Sequence, residues 1–104
     1  LPLNDLMKPL EDHYKAAGIW GSQRWTGGYE LGCAVPPDWV GSFDYTVGED
    51  SGDAVLEPGL VVNYESNFYL PGRPGMSMLI DTLVVDEESA GLVHHIPHQI
   101  IVIG

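Results

Sequence analysis

Residues 56–85, LEPGLVVNYESNFYLPGRPGMSMLIDTLVV, place the strongest constraint on what this chain can fold into. The run PGRPG at 71–75 lies in the middle, and clustered Pro and Gly end strands and form turns. The residues on either side are rich in the β-branched, aromatic and long apolar side chains that are typical of strands. We therefore predict that residues 60–70 and 76–85 are antiparallel neighbours in a sheet.

One carboxylate, Glu65, lies inside the first of these strands. Side chains alternate between the two faces of a strand. One face carries Val61, Asn63, Glu65 and Asn67, and the other carries Val62, Tyr64, Ser66 and Phe68. A buried carboxylate is costly without a metal, a proton or a cationic partner, which makes Glu65 the first candidate for chemistry. We predict that Glu65 points into a concave face and that the opposite face packs against a helix; a purely structural, hydrogen-bonded carboxylate is the alternative.

The other segments predict one helix and several further strands. Apolar spacings of three and four over residues 3–17 indicate an amphipathic helix that ends at Gly18. Because Pro9 removes a helical donor, the helix either begins near Lys8 or is kinked. We also predict a link over 19–26, a strand over 29–35, an exposed acidic loop over 41–53, a turn over 86–89 and strand segments over 91–96 and 99–103. Strands outnumber helices, so the predicted class is α+β with a mostly antiparallel sheet.

Composition narrows the classes of partner. Fifteen acidic residues against four Lys and Arg give a formal net charge of −11. Because phosphate groups are bound mainly by Lys and Arg, this charge argues against nucleic acids and anionic membranes. No apolar run approaches the ~18 residues of a membrane helix, and the first residues lack the pattern of a signal peptide. The single cysteine, Cys33, cannot form an internal disulfide, so we expect a buried thiol and a cytoplasmic location.

Three histidines near the end of the chain, His94, His95 and His98, raise the question of a metal site. Adjacent strand residues point to opposite faces, so His94 and His95 cannot easily reach one ion. Pro97 could bend the chain and bring His98 close to one of them. The preferred interpretation is that all three are strand and turn residues.

The predicted strand pair resembles the creatinase/prolidase/methionine aminopeptidase family, the pita-bread hydrolases. That family carries a pattern close to L-x-P-G-M-V-x-x-x-E-P, then a Gly-rich turn, then I-E-D-T-x-x-V. The matching segments here are LEPGLVVNYES at 56–66 and LIDTLVV at 79–85. Upstream, GGYELG at 27–32 and PPDW at 36–39 are similar to the GYSIG…PPDW variant of ectoine-hydrolase-like members. The resemblance covers nearly the whole chain, residues 4–103.

This resemblance implies a fold and a class of reaction. It implies the C-terminal part of a pita-bread catalytic domain, a single partial domain over residues 1–104 with a curved sheet and one N-terminal helix. Family members are longer, so we expect a piece that arises by cleavage or truncation and has no hydrolase activity alone. The implied substrate is a small amide or peptide cleaved at a C–N bond, as in Xaa-Pro dipeptidases. The full-length protein is expected to be a homodimer.

The family's metal ligands can be carried over one at a time. Metal-dependent members hold two ions with two Asp, one His and two Glu. The first Glu matches Glu65, whereas the second falls at Ile80 and the His falls at Tyr29; the two Asp would precede Leu1. Since divalent ions need several suitable donors, we expect a degenerate site and no cofactor. A divalent ion (Mn, Zn, Fe or Co) bound by Glu65 stays possible if upstream ligands exist.

Two classes of function therefore stay open. Creatinase-like members of the family cleave C–N bonds without metal, and Tyr29, Glu65 and Asp81 could serve as acid, base and orienting group. Alternatively, Tyr29 is a packed strand aromatic and Asp81 a turn or cap residue. The second class is a non-catalytic binding or dimerisation module derived from the same fold.

Overall fold

The structure, a computed structural model, describes residues 1–32, 40–99 and 102–104. In this part of the chain, one helix packs against a five-stranded antiparallel sheet. The elements are α1 (Leu3–Ala16), β1 (Gln23–Leu31), β2 (Val40–Thr46), β3 (Val61–Tyr69), β4 (Met76–Val85) and β5 (Ala90–Leu92), and the strand order is β2-β1-β3-β4-β5. The predicted α+β class with an antiparallel sheet is confirmed.

Strands β3 and β4 form the predicted hairpin. They pair without interruption from Val61 opposite Val84 to Tyr69 opposite Met76. The connecting turn is closed by a hydrogen bond of 3.2 Å from the Leu70 N–H to the carbonyl oxygen of Gly75. Gly72, at φ +67°, takes the left-handed conformation that glycine adopts at little cost. The Pro/Gly cluster thus sets the register of the two strands.

Helix α1 runs continuously from Leu3 through Pro9, so the expectation of a start near Lys8 is wrong. The first turns are held by burial, since Leu3 is 0% and Met7 is 3% exposed in the core. Tertiary packing of an apolar face contributes most of the stability of a short helix, which outweighs the donor that Pro9 lacks. The predicted stop is confirmed, because Gly18 adopts φ +72° and its N–H bonds the carbonyl oxygen of Lys15 at 3.0 Å.

Three aromatic side chains anchor the end of α1 to β3. The hydroxyls of Tyr14 and Tyr64 are hydrogen-bonded, and the Tyr64 hydroxyl also lies 3.0 Å from Oγ1 of Thr26. The rings of Tyr14 and Phe68 pack with centroids 4.9 Å apart. Burial raises the pKa of Tyr64, so this hydroxyl stays protonated and can donate. The prediction that the Tyr64 face of β3 packs against a helix is confirmed.

Strand β2 covers the first part of the segment, residues 41–53, that the sequence analysis predicts as an exposed acidic loop. The prediction is wrong for 41–46, whereas 47–53 form turns and irregular chain. Tyr45 points into the core with 3% exposure, while its neighbours Asp44 and Ser42 are exposed. Such polar side chains are common on edge strands, where they discourage pairing with other chains. Because of these polar side chains, the composition of the segment is typical of a loop.

Other boundaries also differ from the predictions. β1 begins at Gln23, inside the predicted link, and β5 ends at Leu92, earlier than expected. Residues 99 and 102–104 are not in a strand, and 100–101 lie outside the described residues. The turn over 86–89 is confirmed by a 2.7 Å hydrogen bond from the Asp86 N–H to the carbonyl oxygen of Ser89.

A close crossing at Gly28 joins β2, β1 and β3. The Tyr45 hydroxyl of β2 donates a 3.1 Å hydrogen bond to the carbonyl oxygen of Asn63 on β3, passing over Gly28 of β1. A Cβ atom at Gly28 would lie 2.0 Å from that carbonyl oxygen and 2.5 Å from the hydroxyl. Burial raises the pKa of Tyr45 to about 12, so the hydroxyl keeps its proton at neutral pH. Only glycine fits at this position.

We expect Gly28→Ala to lower the free energy of unfolding by about 1–3 kcal/mol, because the new methyl group overlaps backbone atoms that cannot rotate away. The matched control is Gly91→Ala on β5, where a Cβ atom meets nothing within 4 Å and the change should stay within about 0.5 kcal/mol. Urea denaturation measures both. Adding Tyr45→Phe to Gly28→Ala should not restore stability, since the contact with the Asn63 carbonyl remains. Equal losses in the two alanine variants would contradict the account.

Candidate functional site

The register of the sheet decides which of the predicted site residues lie together. Glu65 is directly opposite Ile80 on β4 and Gly27 on β1. Directly opposite residues of an antiparallel pair point to the same side, and so do residues two apart in one strand. Tyr29, Glu65 and Ile80 therefore share the face of the sheet away from α1. We call this surface, with Asn63 and Asn67, the Glu65 face.

Two amides hold the Glu65 carboxylate. Nδ2 of Asn63 donates to Oε1 at 3.0 Å, and Nδ2 of Asn67 donates to Oε2 at 3.3 Å. Both asparagines are buried, and Glu65 itself is half-buried. Because the two donors stand on either side of it along β3, the carboxylate is fixed parallel to the strand. The Oδ1 atom of Asn67 is buried and has no hydrogen-bond partner among the described residues.

Tyr29 is tied to the same group of side chains. Its main-chain N–H donates a 2.7 Å hydrogen bond to Oδ1 of Asn63, the residue whose Nδ2 binds Glu65. The Asn63 side chain thus links the backbone of β1 to the carboxylate of β3. The structure brings Tyr29 and Glu65 into one connected group, and their assignment as acid and base stays a prediction.

Asp81 points the other way. It lies opposite Tyr64, one position along the strands from the pair of Glu65 and Ile80. Its side chain is therefore on the face of the sheet that packs against α1. The structure therefore does not bring Asp81 together with Tyr29 and Glu65. Nor is Asp81 the turn or cap residue of the alternative interpretation, since it lies inside β4.

Two histidines bind the Asp81 carboxylate. Nε2 of His94 lies 2.7 Å from Oδ1, and Nε2 of His98 lies 3.0 Å from Oδ2. The hydrogen bond from His94 holds the pKa of Asp81 below its usual range, and the nearby His98 adds to this effect. The side chain of Asp81 is only 11% exposed, whereas that of His98 is 45% exposed. The pair of histidines covers the carboxylate from the solvent side.

The sequence carried a signal for this cluster that the strand-and-turn interpretation missed. Asp81 lies five residues before Asp86 and His94 lies five after Ser89, so an antiparallel pairing about the 86–89 turn sets them opposite each other. Beyond β5 the chain bends, and His98 returns to within ring contact of His94, with centroids 5.8 Å apart. His95 is exposed and takes no part. The chain around Pro97 therefore does bring His98 close to one of the other two histidines, His94, as the sequence analysis considered.

Two cavities lie near these groups. An apolar cavity of about 420 Å³ lies beside the first turn of α1 and the 86–89 turn. A more open cavity of about 590 Å³ adjoins Asp81, His94 and His98. Neither is lined by Tyr29 or Glu65. The larger of the two cavities is therefore next to the histidine cluster, on the Asp81 side of the sheet.

Some sequence predictions fall outside the described residues. Cys33, Pro36, Pro37, Asp38 and Trp39 are all in the 33–39 gap, so the buried thiol stays a prediction. Among the residues that are described, no helix has both the length and the apolar character needed to cross a bilayer.

Comparison with known proteins finds similarity to a dipeptidase over part of the chain. The probable dipeptidase PepE of Mycobacterium tuberculosis and that of Mycobacterium bovis are each 39% identical to this chain over 51 residues. No family model matches the chain, and no solved structure matches it. The aligned stretch is 49% of this chain and only 13% of each curated relative, so the similarity is to a short segment of each of them.

Proposed function

We propose that this chain is the C-terminal part of a pita-bread hydrolase that cleaves a C–N bond in a small amide or peptide, in the manner of an Xaa-Pro dipeptidase. One observation carries the proposal. The resemblance assigns three positions to metal ligands: Tyr29, Glu65 and Ile80. The observed pairing of β1, β3 and β4 puts all three on one face of the sheet. The partial identity to a probable dipeptidase supports the same class of reaction.

Glu65 is the residue to which we assign the central role. Its carboxylate is oriented by the amides of Asn63 and Asn67, so both oxygens keep a fixed direction while at least one lone pair on each stays available. A positioned carboxylate can act as general base toward a water or hold a cationic group of a substrate. Tyr29, tied to Asn63 through its backbone, would supply a proton to the leaving nitrogen.

Asn67 has one unsatisfied acceptor on this face. Its Oδ1 atom is buried without a partner among the described residues, and a buried acceptor in that state costs about 1–3 kcal/mol. A water would satisfy it, as would a substrate donor such as an amide N–H or a protonated amine once the side chains that cover the atom move aside. Glu65 lies beside it and carries the negative charge that an amine would pair with.

The family's two-metal site is proposed to be degenerate here. Ile80 has no donor atom, and Glu65 faces it directly across the hairpin. Tyrosine is a rare ligand for the divalent ions (Mn, Zn, Fe or Co) that such sites hold. We therefore propose a metal-free reaction, or a metal held with the help of residues beyond these 104.

A second candidate function is a non-catalytic binding or dimerisation module. One observation favours it: on the same face as Glu65, β4 exposes Met78, Ile80 and Val84 by 56%, 50% and 43%. An exposed row of apolar side chains next to polar ones is typical of a surface that a partner or another segment covers. In the hydrolase proposal, the same row forms part of the substrate site or of the homodimer.

The proposal predicts that residues 1–104 alone do not hydrolyse dipeptides, whereas a longer protein that contains them does. In that protein, Glu65→Gln should lower kcat/KM for an Xaa-Pro dipeptide by about 100-fold or more, the range expected for loss of a general base. Glu57→Gln is the matched control, because Glu57 is exposed in the loop before β3, and it should leave the rate unchanged. Turnover that is insensitive to Glu65→Gln, or no turnover at all by a folded longer protein, would favour the binding module.

A second prediction concerns metal on the Glu65 face. Elemental analysis of purified residues 1–104 should find no manganese, zinc, iron or cobalt whose amount falls in the Glu65→Gln variant. Tyr29→His combined with Ile80→Glu should raise metal affinity only in a longer protein that supplies the two missing aspartates. About two equivalents of metal that depend on Glu65 in the unaltered protein would contradict the degenerate site, and would mean that the resemblance is aligned incorrectly by a residue or more.

A further inference from the structure

We propose that Asp81, His94 and His98 form a binding site for a single divalent transition-metal ion, with zinc as the best-matched ion. Within residues 1–32, 40–99 and 102–104, these three side chains are a group whose ligand atoms all lie within 4.8 Å of one another. The site is on the opposite face of the sheet from Glu65. It is therefore independent of the proposed hydrolase site and uses none of its residues.

The distances in the cluster are close to those that an ion requires. Zinc binds imidazole nitrogen and carboxylate oxygen at about 2.0–2.2 Å, which puts neighbouring ligand atoms of a tetrahedron about 3.3 Å apart. Here Nε2 of His94 is 2.7 Å from Oδ1 of Asp81, and Nε2 of His98 is 3.0 Å from Oδ2. Small outward movements of the two rings would open the space for an ion. Both histidines follow β5 in irregular chain, where such movements meet no ladder hydrogen bonds.

The ligand set selects the class of metal. Two imidazoles with one carboxylate suit zinc and its transition-metal neighbours, whereas magnesium and calcium prefer oxygen ligands throughout. Three protein ligands leave a fourth tetrahedral position unfilled by protein. The cavity of about 590 Å³ that adjoins the cluster gives that position room for water or a small anionic ligand.

One existing hydrogen bond opposes the ion. Nδ1 of His94 accepts a 3.1 Å hydrogen bond from the N–H of Ile96, so Nε2 carries the ring proton and donates it to Asp81. When a neutral imidazole coordinates through Nε2, its ring proton lies on Nδ1, so Nδ1 can no longer accept the hydrogen bond from Ile96. A neutral hydrogen bond of this kind weakens binding by about tenfold at most, which a three-ligand site can offset.

Zinc titration of the 104-residue chain tests the site, with a histidine-free purification handle and prior removal of metal by a chelator. Calorimetry should give one equivalent of bound zinc and no binding of magnesium. His98→Ala should weaken zinc binding by about tenfold or more, since one of three ligands is lost. The matched control is His95→Ala, because His95 is adjacent in sequence but exposed and outside the cluster.

Several results would overturn the proposal. They are the absence of zinc binding, an affinity that His98→Ala leaves unchanged, or an equal loss in His95→Ala. Because Asp81→Asn could disturb the fold, the decision rests on His98, whose side chain is 45% exposed; circular dichroism verifies that each variant is folded. Zinc that is lost in Glu65→Gln but kept in His98→Ala would move the metal to the Glu65 face and refute this site.

Discussion

The hydrogen bond from the Tyr45 hydroxyl to the carbonyl oxygen of Asn63 is the contact on which the Glu65 face depends. It crosses β1 at Gly28 and so joins three strands at one point. Asn63 then uses its side chain on the other face, where Oδ1 accepts from the Tyr29 N–H and Nδ2 donates to Glu65. One residue of β3 thus connects the core to the carboxylate. A shift of β1 against β3 would break the hydrogen bond between the Tyr29 N–H and Asn63 and change the spacing of Tyr29 and Glu65.

The alternation of β3 explains why such a carboxylate is tolerated. Val62 and Phe68 are buried toward α1 and stabilise the sheet. A half-buried Glu65 pays a desolvation cost on the opposite face, which the two asparagine amides reduce because they donate to both of its oxygens. Burial of Asn63 and Asn67 is itself unfavourable unless their side-chain amides are hydrogen-bonded. Oδ1 of Asn67 has no hydrogen-bond partner among the described residues. A buried acceptor without a partner calls for a donor, which a bound water or a ligand beside the oriented carboxylate would supply.

The features that depend on local sequence pattern are predicted correctly from the sequence. The β3–β4 hairpin follows from the Pro/Gly turn between two apolar runs, and the face of β3 that meets α1 follows from a period of two. What failed depends on contacts distant in sequence. β2 has the composition of a loop because its polar side chains face solvent, and only pairing with β1 makes it a strand. α1 continues through Pro9 because its buried face meets residues more than forty positions away, such as Val47 and Leu56.

In the candidate site, too, local sequence pattern predicts some features, and others depend on the three-dimensional arrangement. Glu65 could be singled out from sequence because a carboxylate in an apolar strand is conspicuous, but its asparagine partners become meaningful only once the side-chain directions are known. Asp81 was grouped with Glu65 by resemblance, yet the parity of the β3–β4 register sends the two carboxylates to opposite faces. A difference of one residue along β4 thus separates two chemistries: Ile80 adjoins the oriented carboxylate, and Asp81 adjoins two imidazoles. Because the sheet lies between them, a substitution in one cluster leaves the ligands of the other in place, and the two proposals stand or fall independently.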